Sequence, residues 1–294
     1  MSQKRVAFLT MQEPGDYVTD YDLCFTAMAD AGWVAETVAW RDRDNDWDRF
    51  DAVYPCTAWD YPQHLEEFIA VLQRIEESAA TLINELSLLQ WNMRKSYLRD
   101  LESRGADIVP TLWVSGFNES DVANWFVRHQ SDTLIIKPEV GANAQDTFVL
   151  KNPVEKDAAA LLSAAFSNRN FLVQPFIDSI CGEGEYSLFY FAGEFSHAIV
   201  KKPTSGDFRS QEEHGASIDP VQPEPDLLAA ADNMVALLRP QPAYVRIDLV
   251  RGLDNRFLLM ELELIEPSLY FRTDDAAPAR FAAAFDQYFR ELSA

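Results

Sequence analysis

The stretch Tyr244-Val245-Arg246-Ile247-Asp248-Leu249-Val250 is followed, after the turn Gly252-Leu253-Asp254-Asn255, by Phe257-Leu258-Leu259-Met260-Glu261-Leu262-Glu263-Leu264. Both runs alternate as strands do, and residues two apart on a strand share a face. Arg246 therefore lies beside Asp248, and Glu261 beside Glu263. If the two strands are hairpin partners, three carboxylates and one guanidinium converge on one patch. Carboxylates so close repel one another, and a hard divalent cation relieves that repulsion. Magnesium suits oxygen ligands and keeps positions free for phosphate. The same alternation also suits a solvated hairpin face with Leu and Ile turned inward.

Around this hairpin the last third reads as largely antiparallel. Tyr186–Ala192 and Phe195–Lys202 flank the turn signal Ala192-Gly193-Glu194. Pro220, Pro223 and Pro225 open a helix to about Leu238, and a final helix runs near Pro278–Leu292. The densest cationic stretch is Lys201-Lys202-Pro203, then Gly206-Asp207-Phe208-Arg209-Ser210-Gln211 and His214-Gly215. Such a loop can hold a carboxylate or phosphate, with Arg209 binding through two N–H groups at once. It also reads as a surface loop with incidental charges.

The middle of the chain is a different unit. A helix around Asn92–Arg104 leads to Ile108-Val109-Pro110, and a second helix starts near Asn118, a fitting N-cap. The strand Thr133–Pro138 ends in Lys137 after the apolar run Leu134-Ile135-Ile136. A lysine there needs an anion to offset its desolvation, or reaches solvent from the strand end. The small, polar segment 139–146 after it could close over phosphates with backbone N–H groups. It is followed by a strand at Thr147–Leu150, a helix with Asn152 as cap and Pro153 at its first position, and the strand Phe171–Phe176.

The first third alternates strand and helix: Val6–Leu9, a helical run through Val18, Tyr21, Phe25 and Met28, then Val34–Ala39, Ala52–Tyr54, a helix opened by Pro62, and Thr81-Leu82-Ile83. That order predicts a small parallel sheet with helices on its faces. Ligands sit at the carboxyl ends of such strands, here the loops Thr10–Asp20 and Cys56–Tyr61.

The chain has 294 residues with 25 Lys+Arg against 47 Asp+Glu, a formal charge of −22. This balance disfavours nucleic acid and anionic membranes as partners, though a few placed cations can still build a local anion site. Cys24, Cys56 and Cys181 form no Cys-x-x-Cys, so neither a disulfide framework nor a zinc site is indicated; Cys24 and Cys181 are expected to be buried or half-buried. No apolar run is long enough to span a bilayer, and Met1–Leu9 is too briefly apolar for a signal peptide. A soluble, cytoplasmic protein is expected. No Gly-x-Ser-x-Gly occurs, and His64 and His129 lie on helical segments without evident partners, so nucleophilic catalysis finds no support. The tryptophans read mostly as packing residues.

Read in order, these pieces resemble the ATP-grasp superfamily, in the branch that holds prokaryotic glutathione synthetase, D-alanine–D-alanine ligase and the O-ureido-serine cyclo-ligase of D-cycloserine biosynthesis. The resemblance spans essentially the whole chain and is weakest over residues 1–90. It implies an ATP-grasp fold of α/β and α+β units with an N-terminal parallel-sheet domain at 1–90, a central lid at 91–176 and a metal-bearing, catalytic unit at 177–294. It implies an ATP- and Mg²⁺-dependent ligase that makes an acyl phosphate from a carboxylate for an amine to attack, with two ions or with Mn²⁺ in their place.

Carried over by position, the resemblance gives Lys95 and Lys137 to the phosphates of ATP, the backbone of Gln174, Pro175, Phe176 and Ile177 to adenine, and Glu185, with Glu183 as an alternative, to ribose. Asp248, Glu261 and Glu263 would hold metal, and Glu263 stands where the family has Asn. Arg246, helped by Lys201 or Lys202, would stabilise the transferring phosphoryl group. Arg209 and the loops at Thr10–Asp20 and Trp59–Tyr61 would select a small amino-acid-like substrate. Lys201 and Arg209 occupy positions where glutathione synthetase has arginines. The segments Thr57–Tyr61, Gly206–Arg209 and Glu261–Leu269 look closer to the cyclo-ligase. Ring closure within one amino-acid derivative is therefore the nearer rival to joining two molecules, and a nucleotide-binding module without ligase activity is the more distant one. Family members are commonly dimers or tetramers, so a homo-oligomer is one form the resemblance allows.

Overall fold

The computed structural model of the chain describes residues 3–292 except Pro14, Asp16 and Lys156, so part of the Thr10–Asp20 loop lies outside the described residues. The N-terminal unit runs β1 (Lys4–Thr10), α1 (Phe25–Asp30), β2 (Trp33–Ala39), β3 (Ala52–Thr57), α2 (Leu65–Glu76) and β4 (Thr81–Leu82). Its strands form a parallel sheet in the order β2-β1-β3-β4, as the alternation of strand and helix predicts. Helix α2 turns Phe68, Val71, Leu72 and Ile75 inward, the 3–4 spacing of an amphipathic helix. Gly32 closes α1 in the left-handed region, with φ +88°.

The central unit holds α3 (Leu86–Asn92), α4 (Tyr97–Ser103), β5 (Leu112–Ser115), α5 (Val122–His129), β6 (Thr133–Pro138), β7 (Phe148–Lys151), α6 (Ala158–Phe166) and β8 (Asn170–Pro175). Its antiparallel sheet is ordered β5-β8-β6-β7. Two expectations are corrected here. The helix expected over Asn92–Arg104 is broken between Asn92 and Tyr97, where the Lys95 backbone N–H donates to the Glu139 carbonyl (2.8 Å) instead of continuing a helix. The helix expected to start at Asn152-Pro153 starts at Ala158, because the Asn152 N–H is committed to the Asp132 carbonyl (2.9 Å) beyond the sheet edge. Asn118 does cap its turn, accepting from the Ser120 N–H.

The C-terminal unit holds α7 (Ser179–Gly182), β9 (Glu185–Phe191), β10 (Glu194–Lys202), β11 (Ser217–Pro220), α8 (Pro225–Leu237), β12 (Tyr244–Arg251), β13 (Phe257–Glu263) and α9 (Ala277–Leu292). Its sheet is antiparallel throughout, in the order β11-β10-β9-β12-β13. One core joins it to the N-terminal unit: Phe8, Trp33 and Tyr54 pack with Phe191, Tyr244, Phe281 and Phe285.

Edge strand β13 is held by side chains where a neighbouring strand is missing. Asn92 donates to the Leu262 carbonyl (2.8 Å) and accepts the Leu264 N–H (2.9 Å). The Tyr97 hydroxyl accepts the Leu262 N–H (2.9 Å). Asn84, fully buried, accepts the Ala243 N–H and donates to the carbonyls of Tyr244 and Leu264. Buried backbone groups need such partners, and here they fix the strand that carries Glu261 and Glu263.

Candidate active site

Register places the functional side chains on one face of the C-terminal sheet. Arg246 lies opposite Glu263, Asp248 opposite both Glu261 and Ser187, and Lys201 opposite Glu185. Strand alternation sends these side chains to the same side, facing a cleft whose other wall is the central sheet. Lys137, from the buried end of β6, reaches across to Glu261 at 3.1 Å, and Lys95 reaches the same oxygen at 3.0 Å. The anion that Lys137 needs is thus Glu261.

Asp248 is the most enclosed carboxylate, 1% exposed. Arg246 donates to both its oxygens at 3.0–3.2 Å, Lys201 approaches at 3.4 Å, and the Ser187 hydroxyl donates to it. Burial works to raise its pKa, but Arg246 and Lys201 outweigh burial and hold it below the usual range. Arg246 also bonds Glu263, and Lys201 bonds Glu185 at 2.5 Å. Burial opposes the charge of Lys201, yet Asp248 and Glu185 keep it firmly protonated. At Glu261 burial is likewise outweighed, by Lys95 and Lys137, which hold the carboxyl well below its normal range. Lys137 itself is lowered by burial, because it shares that one carboxylate with Lys95. Glu263 is pushed up to about 7 by burial, despite Arg246, with Asp248 and Glu261 adding repulsion. Burial also raises Glu266 well above the ordinary carboxylate range, with Glu263 adding to it.

Most expected residues meet in this cleft. Lys95, Lys137, Gln174, Pro175, Phe176, Ile177, Glu185, Lys201, Arg209, Arg246, Asp248, Glu261 and Glu263 all line it. Lys202 does not: it follows Lys201 on β10, faces the opposite side of the sheet and is exposed, so its expected part in phosphate binding is set aside. Glu183, the alternative to Glu185, is bonded to Arg251 and Tyr186 away from the cleft. The Phe176 N–H is taken by the Thr133 carbonyl (2.9 Å), so it cannot also serve adenine. Arg209 is clamped by Asp207 through its Nε and an outer guanidinium nitrogen, which presents it to the cleft in a fixed pose. Cys181 is exposed, unlike Cys24 and Cys56. His129 bonds the Val173 carbonyl at 3.0 Å, a satisfied structural role.

The segment after β6 lines the cleft beside the N-terminal loops. A Cβ on Gly141 would meet the Pro138 side chain at 2.8 Å, so a side chain there would displace the turn. Asn143, Ala144 and Asp146 are all left-handed. Asn143 donates to the Tyr17 hydroxyl (3.2 Å), and Tyr17 packs against Trp59. The two N-terminal loops thereby reach the cleft through Tyr17, Trp59 and Tyr61.

The reading of residues missed three participants. Asn92 and Ser187 act through contacts distant in sequence. Glu266 follows the Glu-x-Glu run by three positions, outside any strand, where alternation says nothing.

The carboxylates offer hard oxygen donors beside cations able to take phosphate, a donor set that fits magnesium. As the side chains stand, each bonds a lysine or arginine, except Glu266. Among the described residues, no group of three His, Cys, Asp or Glu surrounds a common point.

Comparison with known proteins bears on the family and the fold. The family described as D-cycloserine synthetase DcsG, N-terminal domain, matches residues 6–84. The cycloserine biosynthesis protein DcsG of Streptomyces lavendulae is 31% identical over 285 residues, which is 90% of this chain and 93% of that protein. The crystal structure of D-cycloserine synthetase DcsG superposes with TM-score 0.87 at 27% identity, covering 97% of this chain and 99% of the other. The ATP-grasp ligase PsnB, solved with a minimal precursor, Mg and ADP, has the same fold at TM-score 0.65 and 14% identity, covering 97% and 98%.

Proposed function

This chain belongs to the family of the cycloserine biosynthesis protein DcsG, among the ATP-grasp carboxylate–amine ligases, and from that premise we propose that it closes a ring on a single amino-acid derivative. The substrate carboxylate attacks the γ-phosphorus of ATP, and the bond to the bridging oxygen breaks with loss of ADP. A nitrogen of the same molecule then attacks the acyl carbon, the phosphate leaves, and the nitrogen gives up a proton. The substrate class follows that relative, whose printed role is cycloserine biosynthesis.

The observation that supports a nucleotide and metal site here is the set of internal ion pairs in the cleft, Lys95 and Lys137 on Glu261 and Arg246 and Lys201 on Asp248. A nucleotide with its metal brings both charges at once, so the lysines can turn to phosphate and the carboxylates to metal with little net charge left bare. Lys95 and Lys137 would bind phosphates, and Asp248, Glu261 and Glu263 would hold two Mg²⁺ ions, for which Mn²⁺ could substitute. Magnesium, when bound, offsets the charge of the triphosphate. Arg246, with Lys201, stabilises the charge on the transferring phosphoryl group. The backbone of Gln174, Pro175 and Ile177 would take adenine, and Glu185 the ribose once Lys201 shifts toward phosphate. Arg209 faces the substrate. Residues 1–90, 91–176 and 177–294 would act as the substrate, lid and metal-bearing units, in a soluble cytoplasmic protein.

The test is ADP release with Mg²⁺, ATP and O-ureido-serine, no other amine being added, followed by mass spectrometry. Ring closure predicts ADP together with a cyclic product. ADP formed only when a second amine is supplied would instead establish ligation between two molecules.

A further inference from the structure

Asp248, Glu185, Glu261 and Glu263 each face a cation of this chain. Glu266 lines the same cleft at 7% exposure. Apart from its own backbone N–H, its carboxylate has no hydrogen-bond or ion-pair partner among the described residues. A buried carboxyl left so is costly to ionise, which is why burial raises its pKa, until a positive group arrives to hold its charge. Its backbone is fixed on both sides: the Trp59 indole N–H donates to the Glu266 carbonyl at 2.8 Å, and the Tyr244 hydroxyl to that of Ile265 at 2.8 Å. The backbone that carries this carboxylate is therefore held in place at the cleft wall.

We propose that Glu266 seats the α-ammonium group of the amino-acid substrate. The inference rests on the ligase reading for what the substrate is, and on the geometry for where its amine goes. An α-amino acid carries its ammonium one carbon from the carboxylate to be activated. Its seat must then adjoin the phosphoryl-transfer groups, and Glu266 lies within electrostatic reach of Glu263, Arg246 and Lys95. The aromatic wall beside it, Trp59, Tyr61 and Tyr17, favours an organic ammonium, whose charge is attracted to ring faces. A magnesium ion would demand several oxygen ligands and retained waters instead. Two atoms in the cleft, Ser210 Oγ and Gln211 Oε1, are buried without hydrogen-bond partners among the described residues, as befits a cleft shaped for a polar ligand.

The test compares the full-length wild type with Glu266→Gln by isothermal titration in the presence of ADP and Mg²⁺. The probes are O-ureido-serine and the analogue with hydrogen in place of its α-ammonium group. Wild type should bind the amine-bearing compound at least about tenfold more tightly than the analogue, and the variant should bind the two alike. ADP affinity should agree within about twofold between the two proteins, which reports that the cleft is intact. Equal binding of both probes by wild type, a preference retained in the variant, or no binding of O-ureido-serine would each overturn the assignment. If the preference appears and then vanishes in the variant while no ADP is released from ATP, the ammonium seat stands and the ligase reading fails.

Discussion

At Glu261 two lysines from separate segments meet one carboxylate oxygen, and this arrangement sets what single substitutions should do. Lys137→Met keeps an unbranched side chain one atom shorter and removes both the charge and its desolvation penalty. Lys95 still neutralises Glu261, so the fold should lose little. Loss of a charge-assisted bond to phosphate, worth about 2 kcal/mol, should raise the KM for ATP about 30-fold in steady-state kinetics. An unchanged KM would remove Lys137 from the nucleotide site. Glu266→Gln should behave in the opposite sense for stability. Replacing an unpaired buried carboxylate by a neutral isostere should leave the ligand-free protein as stable as wild type or up to about 1 kcal/mol more so in urea denaturation; a clear loss would mean the carboxylate has a stabilising partner. The alternation of Arg246, Asp248, Glu261 and Glu263 was readable from spacing alone, because period two fixes their common face. Glu266 was not, because its meaning comes from lacking a cation, which only packing reveals.

Among the elements, β13 is an edge strand whose exposed backbone is satisfied by the side chains of Asn92 and Tyr97. Asn92→Ala removes two buried hydrogen bonds and strands their backbone partners. It should cost about 2–4 kcal/mol in urea denaturation and weaken nucleotide binding together with stability, since β13 carries Glu261 and Glu263. Loss of stability with fully retained nucleotide affinity would separate the clamp from the site. On β10, His197 is buried against Phe189, with its Nε2 on the Leu269 carbonyl, and burial lowers it from 6.5 to about 4. The folded protein therefore holds this imidazole neutral at pH values where the unfolded chain protonates it. Stability should be full above about pH 6.5 and decline as pH falls toward 4, by an amount of order 3 kcal/mol. His197→Phe should flatten that slope in unfolding measured from pH 4 to 7, and an unaltered slope would assign it to other groups. Helix ends and short edge strands were the least legible elements. The break between Asn92 and Tyr97 depends on a bond from Lys95 to Glu139, 44 positions away, and β11 pairs four mostly exposed residues that carry no apolar pattern.

For the whole molecule, three sheets place one cleft between a buried, charge-bearing face and a central sheet that supplies Lys137. The order of strands and helices made the parallel N-terminal sheet and the two antiparallel hairpins legible. It could not tell that Phe8, Trp33 and Tyr54 share a core with Tyr244 and Phe281, which anchors the N-terminal unit beside the charge-bearing sheet. In the proposed reaction, that cleft is where a carboxylate oxygen attacks the γ-phosphorus of ATP. The most direct measurement labels both carboxylate oxygens of O-ureido-serine with ¹⁸O, runs the reaction with ATP and Mg²⁺, and weighs the phosphate released. One ¹⁸O atom in each phosphate, formed in step with ADP, is the expected result; unlabelled phosphate accompanying ADP would contradict activation of the carboxylate and with it the central claim.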